Sequence, residues 1–503
     1  MTEPSPPAGR RWWRGPRRHQ GLLLALAMVG LVVGLGVGGA FGRTARARTP
    51  LTSGHSGAQR GVTPTSLKIV LYQPPEDDAV SKIVAQFVAP ADNNAKDDAT
   101  VRGFIKALFG KDPVVNGRRI DLVVFTGSNN LLDSVAARAD AVRIAEDIRP
   151  FAVLNGPLLG TAFADELASR GVMCLMCVNA GTDAFFAAHA PYVWSLETTP
   201  EQVGTHAAEY VRKRLAGHPA AFAGSADLRR SVRRFGLLSV NGPFGGEGLG
   251  PSIESQLRAR GVALADDMSY GDANSVNQVQ ATMIGRLKAH HVTTVIYAGD
   301  PIAMGSFMAE ATSQRWYPEW VMTGGFSSER SSWGRRDDPA QMAHAFGVTP
   351  LPPPVDPRID TVVGLYRKAN GVDPPASQSV QQLFAPIFVL YSGLTAAGRD
   401  LTPQRFQQGL FHAPPLGGSA ATPYIPLITY GEKGLWPYPD YAGVDDFSEI
   451  WWDPTATGPD EFGNRGHGLW RFADGGRRYV AGKWPTGPPH AFIRKGSVTR
   501  IGS

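Results

Sequence analysis

The sequence predicts an α/β protein of two doubly wound parallel-sheet lobes, preceded by one N-terminal transmembrane helix. Three observations predict it. From Leu67 onward, short apolar runs rich in β-branched residues alternate with amphipathic stretches; the alternation comes in two successive blocks; and an uncharged apolar run occupies residues 21–42 ahead of both. Strands covered by helices on both faces read as continuous apolar runs rather than as alternating ones. Two such blocks give two layered lobes.

Residues 1–20 form a basic tail with Arg10, Arg11, Arg14, Arg17 and Arg18. The run from Gly21 to Gly42 would extend about 33 Å as a helix, enough to cross a hydrocarbon core of about 30 Å. Arginines ahead of the span place the N-terminus in the cytoplasm and everything after residue 48 outside. The segment is a transmembrane anchor or a signal sequence, and its length favours an uncleaved anchor. No cysteine stands at its end or in the linker that follows, which excludes a lipoprotein anchor. Gly30, Gly34, Gly38 and Gly42 share one helical face, either a surface for close approach of a second span or a merely flexible anchor. Residues 43–65 are polar and aperiodic, a linker.

The first block holds the runs Leu67–Tyr72, Ile120–Phe125, Phe151–Leu154 and Val172–Val178; the second holds Phe235–Val240, Thr294–Tyr297 and Trp320–Thr323. Helical patterns lie near 133–148, 161–170, 201–216, 251–260, 275–290 and 303–315. Thr199-Pro-Glu-Gln202 has the form of a helix start, with a capping Thr, Pro in the first turn and Gln three residues on. Residues 379–397 read as a buried helix kinked at Pro386. The tail from Pro423 is dense in aromatics, among them Trp436, Trp451, Trp452, Trp470 and Trp484. Such residues more often fasten a terminal extension to a scaffold than form a carbohydrate platform.

Charge argues against a nucleic-acid partner. The whole chain carries +6, yet residues 1–48 alone hold +7, which leaves 42 basic and 43 acidic residues in the rest. The cluster Arg229, Arg230, Arg233 and Arg234 reads as a solvated rim. Cys174 and Cys177, in Val-Met-Cys-Leu-Met-Cys-Val, read as two buried thiols. In an extended strand they would stand about 10 Å apart on opposite faces, beyond the roughly 7 Å that a disulfide spans.

In open parallel sheets, ligands meet the loops at the carboxyl ends of strands. Three loops qualify. Asn155-Gly-Pro-Leu-Leu-Gly-Thr161 would let Thr161 cap the next helix and turn the N–H groups of Gly160, Thr161 and Ala162 outward, a cradle for a carboxylate. Asn179, Ala180, Gly181 and Thr182 offer an amide, backbone N–H groups and a hydroxyl. Asn241-Gly-Pro-Phe-Gly-Gly-Glu-Gly248 is Gly-rich, with Asp266 about 20 residues on, but it fails the dinucleotide fingerprint because Gly246-x-Gly248 is followed by Pro251 where the third Gly belongs. No HExxH, P-loop or G-x-S-x-G motif appears, so no enzymatic activity and no cofactor is predicted. His290-His291 suits a helix end better than a metal. Asp453, Asp460 and Glu461 lack EF-hand spacing and read as a capped turn.

The order of these strings resembles type I periplasmic solute-binding proteins, in the leucine/isoleucine/valine-binding branch of ABC importers. Val115-Asn-Gly-Arg-Arg-Ile-Asp-Leu-Val-Val124 is similar to the family's second strand, Asn155-Gly-Pro to its first ligand loop, Phe244-Gly-Gly-Glu-Gly248 to its Tyr-Gly-x-Gly segment, and Tyr297-Ala-Gly-Asp-Pro-Ile-Ala-Met-Gly305 to a later loop. Ile450-Trp-Trp-Asp-Pro-Thr-Ala-Thr-Gly-Pro459 and Gly476-Arg-Arg-Tyr-Val-Ala-Gly-Lys-Trp-Pro485 resemble tail motifs of a subgroup from high-GC Gram-positive bacteria. The resemblance implies a hinge between lobe 1 (66–195 plus 325–400) and lobe 2 (196–324 plus 401–490, with the aromatic extension). It implies capture of a small solute by lobe closure outside the cell membrane, and an ABC permease as partner. The alternative is a tethered sensor or assembly factor of the same fold without a permease. Two departures bear on the ligand: Gly160 or Thr161 stands where the family has Ser, and Phe244 where it has Tyr. Asp300 is either an ammonium partner or turn chemistry before Pro301; Glu329 and Glu247 are weaker candidates. The expected ligand is a small carboxylate, amide or aromatic acid as readily as a branched-chain amino acid.

Overall fold

The computed structural model describes residues 59–76, 92–128, 133–157, 160–178, 181–242, 248–271 and 275–502. The predicted span at 21–42 lies outside them. Among the described residues, the one helix long and apolar enough to cross a membrane is Val380–Ala397, most of which is buried in the first core.

Two sheets organise the chain. The first contains β1 (Ser66–Gln73), β2 (Val114–Val115), β3 (Arg118–Thr126), β4 (Ala152–Leu154), β5 (Met173–Leu175) and β6 (Val193–Trp194), in the order β2-β3-β1-β4-β5-β6. All neighbours are parallel except the β2–β3 hairpin. The second contains β7 (Phe235–Val240), β8 (Leu264–Tyr270), β9 (Thr294–Ala298), β10 (Glu319–Met322), β11 (Ala345–Thr349), β12 (Asp446–Pro459), β13 (Arg465–Phe472) and β14 (Arg478–Val480). Its order is β13-β12-β11-β10-β9-β7-β8, with β14 also on β12. The strands β8 to β11 are parallel, and the terminal three join antiparallel. Counting parallel strands alone, both sheets run 2-1-3-4-5, the doubly wound order. The two-lobed α/β reading therefore holds.

Side-chain period 2 explains why the second sheet has two separate cores. Val295, Tyr297, Trp320 and Met322 enter one, while Ile296 and Val321 enter the other. In the first lobe, Phe104 on the helix Asn94–Phe109 packs edge-on against Tyr366 and tilted against Phe384, from two helices far along the chain. Trp452 and Trp470 lie in the second core, and Trp451 and Trp484 in the third. The aromatic tail thus fastens an extension to the scaffold.

The chain crosses between lobes at 195–199, 350–360 and 445–446, and the crossings are tied together. Ser195 N donates to Tyr441 O (3.0 Å) and Tyr430 Oη to Ser195 O (2.7 Å). Arg478 donates to Pro350 O (2.7 Å), Leu351 O (3.2 Å) and Asp446 Oδ1 (2.8 Å), stapling the second crossing to the third. Two placements differ from the expected boundaries. The segment Ala345–Thr349 belongs to the second sheet, because it pairs with β10, and the helix Pro403–His412 belongs to the first core, because Phe406 packs on Phe151 and Trp194.

The cysteine reading is corrected. β5 stops at Leu175, Met176 takes a left-handed backbone (φ 62°), and the chain folds back so that Cys174 and Cys177 come within 5.6 Å Cα to Cα and form a disulfide. Extended geometry never applied across the pair. The arginine cluster is corrected in part: Arg230 is exposed beside Asp227, but Arg233 turns inward to Glu319.

Candidate functional site

In a 2-1-3-4-5 sheet the strand order reverses between the first and third strands, and the loops there diverge to leave a crevice. In the first sheet that point lies between β1 and β4; in the second, between β7 and β9. The loops leaving β4, β5, β7 and β9 are the ones singled out from sequence. Asn179, Ala180, Phe244 and Glu247 fall outside the described residues; Gly160, Thr161, Ala162, Gly181, Thr182 and Asp300 fall within them.

β4 and β5 are parallel neighbours, so their trailing loops leave the same edge. They touch: a Cβ on Gly156 would stand 3.0 Å from Cys177 Cβ, so any larger residue would push these backbones apart by a few tenths of an ångström. Gly160 adopts φ 80° with open space where a side chain would be. Thr161 occupies the N-cap of the helix Ala162–Ser169 but makes no side-chain cap bond, contrary to expectation, because its own backbone is already helical (φ −105°, ψ −10°). Its hydroxyl is left for other partners.

Gly181 is buried, and Thr182 caps the helix Asp183–Ala188 by accepting from Phe185 N (3.1 Å). The Thr182 methyl, Cγ2, lies 3.1 Å from where a Cβ of Gly248 would be, and Pro200 is equally close to that point. Asp183 N donates to Glu201 Oε2 (3.2 Å). Loops of the first lobe therefore meet the start of the second lobe's helices Pro200–Tyr210 and Leu249–Ala259. The first of these opens with the expected capping box of Thr199 and Gln202.

Asp300 is committed elsewhere. Its Oδ1 accepts from Ile302 N and Ala303 N, and its Oδ2 from Tyr270 Oη at 2.7 Å, so of its two readings the turn chemistry is the one realised. The tail acids are likewise occupied. Asp460 accepts from Phe462 N and Asn464 N, Glu461 from Ser331 N and Ser332 N, and Asp453 pairs with Arg471 and Arg494. Asp266, the residue left over from the dinucleotide pattern, pairs with Arg286 and His290.

A second group of polar residues includes Glu329, a weaker candidate from sequence, together with Glu197 and Arg330, which sequence reasoning missed. Glu197 lies on the first crossing, and Glu329 and Arg330 on the loop after β10, whose Phe326 and Ser327 both have left-handed backbones. Strained backbone of this kind concentrates at functional loops. Glu329 and Arg330 are buried, and Thr349 Oγ1 donates to Glu329 Oε1 (2.7 Å). Glu197 Oε1, Glu329 Oε2, Arg330 Nε and Arg330 Nη2 are all shut off from solvent without hydrogen-bond partners. Burial pushes the Glu197 carboxyl up to about 8, against the pull of Arg330, and the Glu329 carboxyl up to about 7. Burial likewise lowers Arg330. No local motif marks these residues; only the return of the chain brings Glu197 and Arg330 together.

The sequence profile of a family described as periplasmic binding protein matches residues 83–423. No curated protein matches the chain in sequence. Among solved structures, the fold is similar to a solute-binding protein of an ABC transporter from Rhodopseudomonas palustris BisB5 in complex with 3,4-dihydroxybenzoic acid, at TM-score 0.52 and 11% identity over 83% of this chain and 98% of that one. It is similar to another from Rhodopseudomonas palustris HaA2 in complex with p-hydroxybenzoic acid, at TM-score 0.54 and 12% identity over 86% of this chain and 100% of that one. A fatty acid ABC transporter substrate-binding protein from Thermomonospora curvata aligns at TM-score 0.52 and 14% identity, over 84% of this chain and 93% of that one.

Proposed function

Because the chain belongs to the periplasmic binding protein family, we propose that it is the extracytoplasmic capture component of an ABC importer, closing its two lobes on a small solute and passing it to a permease. The observation that carries this reading is the meeting of the loop after β5 in the first sheet with the loop after β7 at the second sheet's switch point, seen at Thr182 and Gly248. Closure lets the solute gain contacts from both lobes at once, which shifts the population toward the closed form. The N–H groups of Gly160, Thr161 and Ala162, the 179–182 loop and Phe244 are the proposed ligand contacts. Residues 21–42 are the proposed membrane tether, and the leucine/isoleucine/valine branch the proposed closer kinship.

The solute class we favour is a small carboxylate, with amides and amino acids in the same panel. The hydroxybenzoic acids held by two proteins of the same fold agree with that chemistry. Calorimetry of the purified protein against amino acids, amides, benzoates and short fatty acids tests the reading. A Kd in the micromolar range or below for one of them is expected; failure to bind any would count against capture. ATPase stimulation on reconstitution with the permease would separate import from a sensor role.

A further inference from the structure

Arg330 is 7% exposed and stands where the loop after β10 turns into the short helix Ser331–Gly334. Its backbone N–H is spent on Ser327 O (3.3 Å). The guanidinium is different: Nε and Nη2 reach neither solvent nor any acceptor. The acids that face it are Glu461, Glu329 and Glu197. Glu461 accepts from Ser331 N and Ser332 N, Glu329 Oε1 is held by Thr349, and none of the three meets Nε or Nη2.

A buried cationic group with unmade hydrogen bonds carries a large desolvation cost. Chains keep such a group where something else completes it. The two unpaired atoms are also the two that lie along one edge of a guanidinium, the edge that receives both oxygens of a carboxylate in parallel. The loop that bears Arg330 leaves the carboxyl end of β10; its Ser328 Oγ donates to Gly299 O (2.7 Å) in the loop after β9, and a Cβ on its Gly325 would meet the Leu249 side chain at the start of the helix Leu249–Ala259, so the unpaired edge belongs to the loops at the carboxyl ends of the second sheet's strands.

We propose that Arg330 anchors the carboxylate of the captured solute, with its two oxygens on Nε and Nη2. The inference rests on the capture reading above and narrows it to one ligand class and one residue.

The test pairs each acid with its neutral amide: benzoate with benzamide, 4-hydroxybenzoate with 4-hydroxybenzamide, and leucine with leucinamide, titrated by calorimetry into the full-length protein. The wild type should bind an acid at least about 100-fold more tightly than its amide, the loss that removing one charge-assisted bidentate pair entails. Arg330→Met should lose about 100-fold on the acid and change less than threefold on the amide. Arg330→Lys, which keeps the charge but not the fork, should fall between them. A second readout needs no ligand: the melting temperature of ligand-free Arg330→Met should match or exceed that of the wild type, since an unpaired buried charge is removed. A clear drop, or failure to fold, would assign Arg330 a structural role and overturn the anchor. Equal affinity of the wild type for acid and amide, or unchanged acid affinity in Arg330→Met, would overturn the anchor while leaving capture intact. No binding by the wild type to any of the six, nor to any member of the wider panel of amino acids, amides, benzoates and short fatty acids, would take the capture reading down, and the anchor with it.

Discussion

Arg233 grips Glu319 through two parallel hydrogen bonds, Nε to Oε2 at 2.7 Å and Nη2 to Oε1 at 2.9 Å, with both side chains sealed from water. Glu319 also accepts from Thr294 Oγ1 (2.7 Å) and Phe222 N (3.0 Å), so its carboxylate is filled. Breaking one side of such a pair leaves an uncompensated buried charge. Arg233→Met should therefore destabilise the protein by about 3–5 kcal/mol, read as a lower denaturant midpoint at unchanged slope. The double replacement Arg233→Met with Glu319→Leu should recover much of that loss.

Asp300 does for its helix what a ligand-binding acid could not also do. Asp300→Ala removes the cap of Pro301–Ser313 and strips Tyr270 of its acceptor. The expected cost is about 2–4 kcal/mol in stability, with solute affinity within threefold of wild type. A tenfold loss in affinity at unchanged stability would instead place Asp300 in the ligand's contact set.

His206 is fully buried between Trp484, whose Nε1 donates to its Nδ1 (3.1 Å), and Asp445 O, which faces its Nε2 (3.2 Å). Burial pushes its pKa down to about 3 from an ordinary 6.5. Between those values the unfolded chain binds the proton and the folded one does not, so stability present above pH 6.5 drains as pH falls toward 3, by up to about 1.4 kcal/mol per pH unit. The raised carboxyls of Glu197 and Glu329 act oppositely: their contribution is complete below about pH 4.5 and is lost as pH rises through 7 to 8. Thermal melts of the wild type and His206→Gln from pH 4 to 8 separate the two, since the variant should lose only the acid-side decline.

The Cys174–Cys177 link closes a loop of four residues, so chain entropy assigns it about 2 kcal/mol. Alkylation of the denatured, unreduced protein should label no cysteine, and prior reduction should label both. Labelling of both without reduction would restore the reading of two free buried thiols.

Strand positions were legible for most strands covered on both faces, although β6 and β11, buried throughout, went unread. Phe235–Val240 matches β7, and Thr294–Tyr297 lies within β9. β8 was missed because it is an edge strand whose solvent face carries Asp267 and Ser269 between the buried Asp266, Met268 and Tyr270, a pattern that dilutes its apolar signal. β12 and β13 were hidden among aromatics and turn residues, whose burial is decided by pairing with β11 rather than by local periodicity. The break at Met176 is equally invisible, since nothing in Val172–Val178 disfavours an extended run. In the candidate site, glycines and caps announced the loops after β4 and β5. Arg330 and Glu197 gave no signal, because a charged residue in a loop looks the same whether solvent or a protein interior receives it.

The antiparallel strand β12 lies against β11, the last parallel strand of the second sheet, and β13 lies against β12. Without them β11 would present a bare ladder of amides and carbonyls, a template to which any extended peptide could zip. The edge passes to β13, and part of it is closed where Phe472 and Val498 exchange two backbone hydrogen bonds (2.8 and 3.0 Å). An extended neighbour is thereby denied the flank that the parallel strands would otherwise offer, which guards the second lobe against seeding fibres.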